Sequence, residues 1–408
     1  MLFRVQRRFF AAPRVALLIG FIVVLLFTGC GASNDNQNTG VNLGSGALLA
    51  FIGIDGNVWL ANADGSNAHA ISSSQCPQNA SCYGPPSWSP DGQEIAVFGP
   101  APNINNGNFI YIFNRQGILV KNITPPNPDS GGQIVWVNSG QDIAFQGRVL
   151  SPTLKTTPLS VLVMNIASGQ LQTTIPIPQI SGSTALCGDN TTRSNALLSL
   201  VDLVINGFNG LRLTFSAAPD GSAYVVSNGT CQSSVTLLSA GGSSQTLSPL
   251  QSGGSVMQAQ FSADGSHIVA VEEDANGSSS IIEYSANGSQ GKILYSSNSA
   301  LQPETARISS PQWSVDGTKI FFMHNGDLWV MNADGTQAHS LLLTSSFNNG
   351  ADMVEAEPIP SPDLNHLAWI QLEQSQPAAQ PTTALIVGSI NATKQVDVQP
   401  GAVWPAWS

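Results

Sequence analysis

The stretch WSPDGQEIAVF, residues 88–98, combines an aromatic residue, a turn sequence and a run of alternating apolar residues. An Asp-Gly pair favours a tight reversal, because glycine accepts a positive φ and aspartate bonds to the backbone beside it. The alternation that follows has the two-residue period of a β-strand with one buried face. The stretch therefore predicts a tight turn followed by a strand.

This pattern recurs along the chain, as WVNSGQDIAFQ (136–146), FSAAPDGSAYVVS (215–227), FSADGSHIVAV (261–271), WSVDGTKIFFM (313–323) and PSPDLNHLAWI (360–370). Each copy is followed by a strand, a small-residue turn and another strand, as in the near-identical WLANADGSNAHAIS (59–72) and WVMNADGTQAHSLL (329–342). The repeating unit is therefore four short antiparallel strands, with a period of about 46–52 residues apart from one longer gap. This period is typical of propeller blades, which bury one another's faces around an axis.

The repeats resemble the WD40-like (PD40) propeller repeats of the TolB type, whose pattern is PxWSPDGxxIAF followed by IYVMNADG. The resemblance is most specific at 88–92 and 313–317 and weakest in the copies at 136 and 360. It implies a β-propeller over most of residues 47–408. TolB itself is similar to a six-bladed propeller behind an α/β domain, and this chain has no room for such a domain.

The two ends of the repeat region complete one blade. The chain stops at AVWPAWS (402–408), a strand that ends just before its turn, and ALLAFIG (47–53) supplies the missing second strand. We therefore expect Trp407 and Ser408 to lie beside residues 47–53, which removes an exposed edge. The prediction is an all-β, seven-bladed propeller, with six or eight blades as alternatives. Its inner strands are expected to start near Trp88, Trp136, Phe215, Phe261, Trp313, Pro360 and Trp407.

The N-terminal end resembles an export signal. Four arginines precede an apolar run, 15–27, that is about half as long as a bilayer span requires. The run ends in LFTGC (26–30), which resembles the lipobox of bacterial lipoproteins, although Phe27 replaces the usual leucine. The resemblance implies a signal peptide at 1–29 and a lipidated Cys30. An uncleaved anchor and an ordinary signal peptide are the alternatives.

Residues 31–46 are small and polar, which predicts a flexible tether. The expected organisation is thus the signal peptide, the lipidated cysteine with its tether at 30–46, and the propeller domain at 47–408. Loss of the four signal arginines changes the formal net charge from −11 to −15. So acidic a protein repels phosphate backbones, and nucleic acid is not an expected partner.

Cys76, Cys82, Cys187 and Cys231 make an even number of cysteines in a chain expected to be exported. Disulfides are the default there, with three possible connectivities, and no CxxC spacing supports zinc. Cys76 and Cys82 share one loop, and Cys187 and Cys231 fall in loops at the same end of one blade. The prediction is therefore a Cys76–Cys82 and a Cys187–Cys231 bridge.

Strands a to d of each blade run from the axis outward, so the a–b and c–d turns share one face, the short-turn face. The b–c and d–a connections share the other, the long-loop face. The turns are short and uniform, whereas the loops are long and varied: 72–85, 98–107, 146–158, 372–383 and an insertion at about 177–210. Long loops on a rigid scaffold commonly carry binding sites, so we expect the long-loop face to bind. The alternative is that such loops are merely tolerated.

The histidines do not predict a metal or catalytic site. His69 and His339 are repeat-equivalent, His267 and His366 follow a–b turns, and only His324 lies on the long-loop face. The turn aspartates are assigned a structural role in preference to calcium binding: Asp64, Asp91, Asp220, Asp264, Asp316, Asp334 and Asp363.

Motifs for other chemistries are absent from the sequence, which has no GxSxG, no phosphate loop and no dinucleotide fingerprint. Trp88, Trp136, Trp313 and Trp407 have the spacing of blade-core residues and are expected to pack. The prediction therefore assigns no catalytic residue, no metal ligand and no cofactor.

The sequence predicts an extracytoplasmic lipoprotein, anchored to the bacterial cell membrane through Cys30. Its monomeric propeller is expected to bind a protein or envelope component through the long-loop face, without catalysis. A propeller-type polysaccharide lyase or glycosidase, and an accessory lipoprotein of a transporter or sensor, are the alternatives. An enzyme needs two or more titratable groups converging on the axis, and the sequence shows none.

Overall fold

The structure, a computed structural model, describes residues 46–74, 82–101, 107–150, 157–178, 215–227, 235–289, 291–297, 308–324, 327–342, 352–374, 382–390 and 395–408. Residues 40–408 form one compact unit. The described parts of this unit are almost entirely β-structure. No helix among the described residues is long and apolar enough to cross a membrane.

The described residues form 28 strands and one short 3₁₀ helix at Asn138–Gly140. The strands in chain order are β1 (Leu48–Ile52), β2 (Val58–Asn62), β3 (His69–Ala70), β4 (Ser87–Trp88), β5 (Glu94–Pro100), β6 (Asn108–Asn114), β7 (Leu119–Ile123), β8 (Ile134–Val137), β9 (Asp142–Gly147), β10 (Ser160–Asn165), β11 (Leu171–Pro176), β12 (Phe215–Ala217), β13 (Ala223–Ser227), β14 (Val235–Ser239), β15 (Ser244–Thr246), β16 (Ser255–Phe261), β17 (His267–Glu273), β18 (Ser279–Ser285), β19 (Lys292–Ser296), β20 (Ile308–Trp313), β21 (Lys319–His324), β22 (Asp327–Asn332), β23 (His339–Leu342), β24 (Asp352–Pro360), β25 (His366–Gln374), β26 (Thr382–Ser389), β27 (Gln395–Pro400) and β28 (Val403–Trp407).

These strands form seven four-stranded antiparallel sheets, which are the blades of a β-propeller. Blade 1 has the order β28-β1-β2-β3, and blades 2 to 7 follow as β4–β7, β8–β11, β12–β15, β16–β19, β20–β23 and β24–β27. The predicted seven-bladed fold is confirmed, and the six- and eight-bladed alternatives are excluded.

Blade 1 closes the ring, as predicted, by pairing the last strand with the first. Strand β28 runs antiparallel to β1, with Leu49 opposite Trp407 and Ile52 opposite Val403. The backbone N–H of Ser408 also donates to the carbonyl of Leu48 at 2.9 Å. The inner edge of β1 is therefore covered by residues about 360 positions away.

The two-residue period of each strand packs its blade against both neighbours. On β5, Ile95 and Val97 join a buried cluster shared with blade 1, whereas Ala96 and Phe98 join the cluster shared with blade 3. In the second cluster, the Phe98 and Phe145 rings meet edge to face, with centroids 5.2 Å apart. Each fully buried side chain of this size stabilises the fold by about 1.5–3 kcal/mol.

The predicted starts of the inner strands were wrong, because most of these strands begin several residues earlier in the chain than the sequence pattern indicated. Trp136, Phe261, Trp313, Pro360 and Trp407 were expected to start these strands, but each lies at or near the end of its strand. The aromatic residue precedes the a–b turn, and the turn was the only signal that the pattern recognised. The greatest displacement is in blade 7, where β24 starts eight residues before Pro360.

The two weakest repeats still form complete blades. In blade 3, the Asp-Gly turn is replaced by the 3₁₀ turn Asn138–Gly140, in which all three residues have positive φ. In blade 7, Leu364 has a φ of 54° at the position where blades 2, 5 and 6 have a glycine. This conformation disfavours a branched side chain, so blade packing holds the turn in place.

Candidate functional site

The short-turn face is built from repeated hydrogen-bonded turns. In blade 5, the Ser262 hydroxyl donates to Asp264 Oδ1 at 2.6 Å and accepts the backbone N–H of His267 at 3.0 Å. Asp264 Oδ1 also accepts the backbone N–H of Ser266 at 3.0 Å. The same serine–aspartate contact, again at 2.6 Å, occurs in three other blades, at Ser89–Asp91, Ser314–Asp316 and Ser361–Asp363.

These hydrogen bonds stabilise the ionised aspartates. The Ser262 and Ser266 hydroxyls and the Ser266 N–H lower the pKa of Asp264 to about 2. The pKa of Asp220 is lowered by the Ser222 hydroxyl and N–H in the same way. The carboxylates are engaged within their own turns, which is the structural role assigned to them from the sequence. Among the described residues, no three His, Cys, Asp or Glu side chains are grouped to hold a metal ion.

The two most exposed large apolar residues of the described chain lie on the long-loop face. Ile54, in the b–c loop of blade 1, is 67% exposed, and Leu150, in the b–c loop of blade 3, is 61% exposed. Leu250, between blades 4 and 5, is 42% exposed. Not every connection here is long, because blade 1 uses only residues 53–57 between β1 and β2. Apolar side chains displayed to water on a loop-rich face are typical of an interaction surface.

A buried carboxylate holds one of these loops in place. Glu272, near the end of β17, is fully buried and accepts the backbone N–H groups of Leu250 at 2.8 Å and Gln251 at 2.7 Å. Charge-assisted bonds of this kind are stronger than neutral ones. The d–a loop between blades 4 and 5 is therefore fixed from beneath, and Leu250 is presented on a rigid backbone.

An aromatic cluster lies between blades 5 and 6 at the long-loop face. Its members are His324, Tyr295 and Trp329, and the Tyr295 hydroxyl lies 2.9 Å from His324 Nδ1. The His324 ring is 5.0 Å from the Trp329 ring. Burial lowers the pKa of His324, partly opposed by the charge of Asp327. A neutral, buried imidazole in such a cluster connects two blades.

The other histidines lie where the repeats predicted. His69 and His339 start β3 and β23, with Nδ1 close to the carbonyls of Asn67 and Gln337 at 2.8 and 2.7 Å. His267 and His366 start β17 and β25, directly after a–b turns. These four rings belong to different blades.

Tryptophans of the inner strands connect neighbouring blades near the axis. The indole N–H of Trp407 donates to the carbonyl of Ile359 at 2.8 Å, that of Trp88 to Ala406 at 3.1 Å, and that of Trp136 to Ser87 at 2.9 Å. Each acceptor belongs to the inner strand of the preceding blade. It lies one residue before the aromatic residue or proline that comes just before the a–b turn of that blade. The inner edges of blades 7, 1 and 2 are thus bonded by side chains of the next blade.

Blades 4 to 6 are connected at the same level by amide and hydroxyl side chains. Gln258 Oε1 accepts the backbone N–H of Ser310 at 2.7 Å, and Gln260 Oε1 accepts that of Trp313 at 3.2 Å. Ser216 Oγ accepts the N–H of Phe261 at 3.1 Å. The described polar side chains of these strands satisfy inner-edge backbone groups, so they have a structural role.

The inner strand of blade 7 carries acidic residues that the sequence interpretation overlooked. Asp352, Glu355 and Glu357 lie on β24, beside the axis and towards its long-loop end. They were missed because Pro360 was taken as the start of this strand.

A groove of about 490 Å³ lies on the outer side of blades 2 and 3, lined by Lys121, Pro126 and Met164 among others. The Lys121 ammonium donates to the carbonyls of Ile166 at 2.7 Å and Ala167 at 2.6 Å. These contacts connect the outer strand of blade 2 to the c–d turn of blade 3. The groove's cation is therefore engaged within the fold.

Most of the predicted lipidation and disulfide residues lie outside the described residues: Cys30, Cys76, Cys187 and Cys231. Cys82 is described, and it packs against the cluster between blades 1 and 2. The predicted disulfides and their connectivity stay predictions.

Comparison with known proteins shows the fold. No protein-family model matches the chain, and no curated protein matches it. The periplasmic gluconolactonase of Pseudomonas aeruginosa has 12% identity and a TM-score of 0.51, with 89% of this chain and 98% of that one covered. A prolyl endopeptidase has 11% identity and a TM-score of 0.53, with 86% of this chain and 46% of that one covered.

TolB from Acinetobacter baumannii is a further structural neighbour. It has 17% identity and a TM-score of 0.43, and 71% of this chain is covered. The chain spans 62% of the length of that TolB and less than half of the prolyl endopeptidase. At identities of 11–17%, the likeness shows the β-propeller fold alone.

Proposed function

We propose that the protein is an extracytoplasmic lipoprotein of the PD40-repeat type whose propeller is a non-catalytic binding scaffold. The long-loop face binds a protein or cell-envelope component, and acyl chains on Cys30 anchor the protein to the cell membrane. The signal peptide at 1–29 and the tether at 30–46 belong to the same proposal. The protein acts as a monomer.

The asymmetry between the two faces is the observation that carries this proposal. On the short-turn face, carboxylates and hydroxyls bond within their own turns. On the long-loop face, Ile54 and Leu150 are the two most exposed large apolar side chains of the described chain, and Glu272 fixes the loop backbone beside Leu250. The short-turn face also exposes Val315, but within a tight hydrogen-bonded turn. Apolar anchors on a rigid backbone lose little entropy when they bind.

Matched photo-crosslinking tests the binding face. A benzoylphenylalanine is placed at Ile54 or Leu150 on the long-loop face, and at Val315 on the short-turn face as a control. These positions are similarly exposed, at 67%, 61% and 57%. Illumination of intact cells should give discrete adducts from Ile54 or Leu150 and none from Val315. Adducts from Val315 alone, or none from either long-loop position, contradict the proposal.

The anchor is tested separately with Cys30→Ser. Thioether formation needs the thiol, so this variant should leave the membrane fraction and lose its lipid by mass spectrometry of the intact protein. Since two or three acyl chains hold a protein firmly at about 0.8 kcal/mol per buried methylene, the wild type should remain on the membrane. Equal membrane association of both proteins would show that Cys30 is not the anchor.

A catalytic function is the second candidate, favoured by the acidic residues on β24. An axial lyase, lactonase or glycosidase site needs such groups at the mouth of the propeller. Glu355→Gln and Glu357→Gln should then abolish turnover of an anionic polysaccharide or a sugar lactone while the unfolding curve is unchanged. Without turnover by the wild type on these substrates, the scaffold remains the better proposal.

A further inference from the structure

The chain enters the propeller on the short-turn face, at a point fixed by one arginine. Arg115, in the c–d turn of blade 2, donates from Nη2 to the carbonyl of Gly46, the first described residue. Its Nη1 donates at 2.8 Å to the carbonyl of Gly92, in the a–b turn of the same blade. Gly46 is thus bonded to a residue of one turn on this face, and that residue is bonded in turn to a second turn on the same face.

The direction of β1 follows from the same contacts. The backbone N–H of Leu48 donates to Ser408 Oγ at 2.8 Å, and the N–H of Ser408 donates to the carbonyl of Leu48 at 2.9 Å. Strand β1 therefore starts at the short-turn face and runs towards the b–c loop that contains Ile54. Gly46, the first described residue, therefore lies at the short-turn end of β1.

We propose that the anchored protein holds its short-turn face towards the membrane and presents its long-loop face to the aqueous side. This orientation rests on the proposed acylation of Cys30. The partner of the long-loop face is therefore reached through water. It is a soluble protein or a component of an opposing surface, and not a headgroup of the bilayer that holds the anchor.

The length of the connecting segment limits other orientations. Sixteen residues follow Cys30 up to Gly46, which at full extension span about 53–58 Å. Their Gly-, Ser- and Asn-rich composition predicts a root-mean-square end-to-end distance of about 20–24 Å.

A path from β1 to the opposite face is longer than this average. It passes two strands at about 4.8 Å each and then a blade height of about 17–23 Å, before any loop is counted. Turning the long-loop face to the bilayer would stretch the connecting chain to about 27–33 Å or more, beyond its mean extension of about 20–24 Å, so the opposite orientation is favoured.

The negative charge of the short-turn face is repelled by anionic lipid. This repulsion keeps the face at a short distance from the membrane but does not reverse the orientation. Asp64, Asp220 and Asp264 on this face have pKa values lowered by hydrogen bonds from neighbouring serines, which favours their charged form. Repulsion from anionic lipid decays within about 8 Å at physiological ionic strength. That distance is smaller than the mean extension of the connecting segment, so the face can remain about 8 Å from the lipid while still directed towards it.

Energy transfer in proteoliposomes tests the orientation. The full-length lipidated protein is reconstituted into phosphatidylethanolamine–phosphatidylglycerol vesicles that contain acceptor-labelled headgroups. A donor dye is attached through azidophenylalanine at Val315 or at Ile54, which avoids the cysteines. In the proposed orientation, the two labels differ in their distance from the membrane by about one strand length, roughly 17–23 Å. Energy transfer from Val315 should therefore exceed that from Ile54 about two-fold or more.

Two further samples separate the possible failures. A variant with about 30 Gly/Ser residues inserted after Asn38 should lose the difference, because its mean reach rises to about 35–40 Å. Cys30→Ser should show no transfer from either position. Equal transfer from both labels, or stronger transfer from Ile54, in vesicle-bound wild type overturns the orientation alone. Failure of the wild type to bind vesicles overturns the anchor and the orientation together.

Discussion

The tryptophan bonds between inner strands give a prediction about what holds the ring together. Trp88→Phe and Trp136→Phe each remove an indole N–H that donates to a carbonyl of the preceding blade, at 3.1 and 2.9 Å. Both side chains are only 8% exposed, so water does not replace the lost donor. A net hydrogen bond contributes about 0.5–1.5 kcal/mol, and a fully buried acceptor left unpaired costs about 1–3 kcal/mol, so these part-buried bonds fall between the two ranges.

The chain supplies two matched controls. Trp369 is 1% exposed and Trp313 is half-buried, and the indole nitrogen of each is buried without a hydrogen-bond partner. Trp369→Phe and Trp313→Phe therefore remove ring volume but no hydrogen bond. We expect Trp88→Phe and Trp136→Phe to lower the free energy of unfolding by about 1–2 kcal/mol more than either control.

Urea unfolding followed by far-ultraviolet circular dichroism measures this difference, since the substitutions alter tryptophan fluorescence directly. Trp369 is more buried than Trp88 and Trp136, and Trp313 is less buried. The two controls therefore give upper and lower limits for the free energy lost with the ring volume alone. Equal destabilisation of all four variants would refute the reasoning. It would mean that ring volume, and not the bond between blades, determines the cost.

Three further predictions concern the turns and the closure. Gly317 has a φ of 69° and open space where a Cβ would lie, so Gly317→Ala should lower the free energy of unfolding by about 1–2 kcal/mol through backbone strain alone. Leu364 has a φ of 54°, so Leu364→Gly should relieve that strain. Urea unfolding measures both changes. Asp264 has a folded pKa of about 2, below its ordinary 3.8, so its contribution is complete above pH 4 and is lost as the pH falls towards 2. Ser262→Ala should flatten that loss in acid unfolding curves. Deleting residues 403–408 should remove several kcal/mol of a net stability of about 5–15 kcal/mol and lower one cooperative melting transition, not a separate edge.

The fold could be predicted from sequence because its turns repeat. Asp-Gly pairs and alternating apolar residues identify strands b and c, whose side chains are buried on both faces. The pairing of Ser408 with Leu48 could be predicted because residues 402–408 have the pattern of an inner strand without the turn and second strand that follow it in other repeats. These signals are local, and one sequence is enough to show them.

The inner strands could not be predicted in the same way. Gln258 and Gln260 lie where a half-buried strand would show polar alternation, yet they bond backbone groups of the next blade. Asp352, Glu355 and Glu357 likewise gave no strand signal. A strand that borders the axis is hydrogen-bonded by side chains of a neighbouring blade, and such a contact exists only after the two blades have packed together.

Nor could the indole donors be distinguished by sequence. Trp88 and Trp313 occupy the same place in the repeat, but only Trp88 has a hydrogen-bond partner. The difference depends on the neighbouring inner strand, which lies about one repeat away in the chain.

The pairing of β28 with β1 also fixes the order of events during biosynthesis. Strand β1 lies at the start of the described propeller, whereas its inner neighbour β28 lies about 360 residues further along the chain. Until β28 has been synthesised, blade 1 lacks its inner strand, and blades 1 and 7 expose apolar side chains that are buried in the closed ring. Closure of the ring is therefore among the last steps of folding, and a chain truncated before β28 cannot complete blade 1.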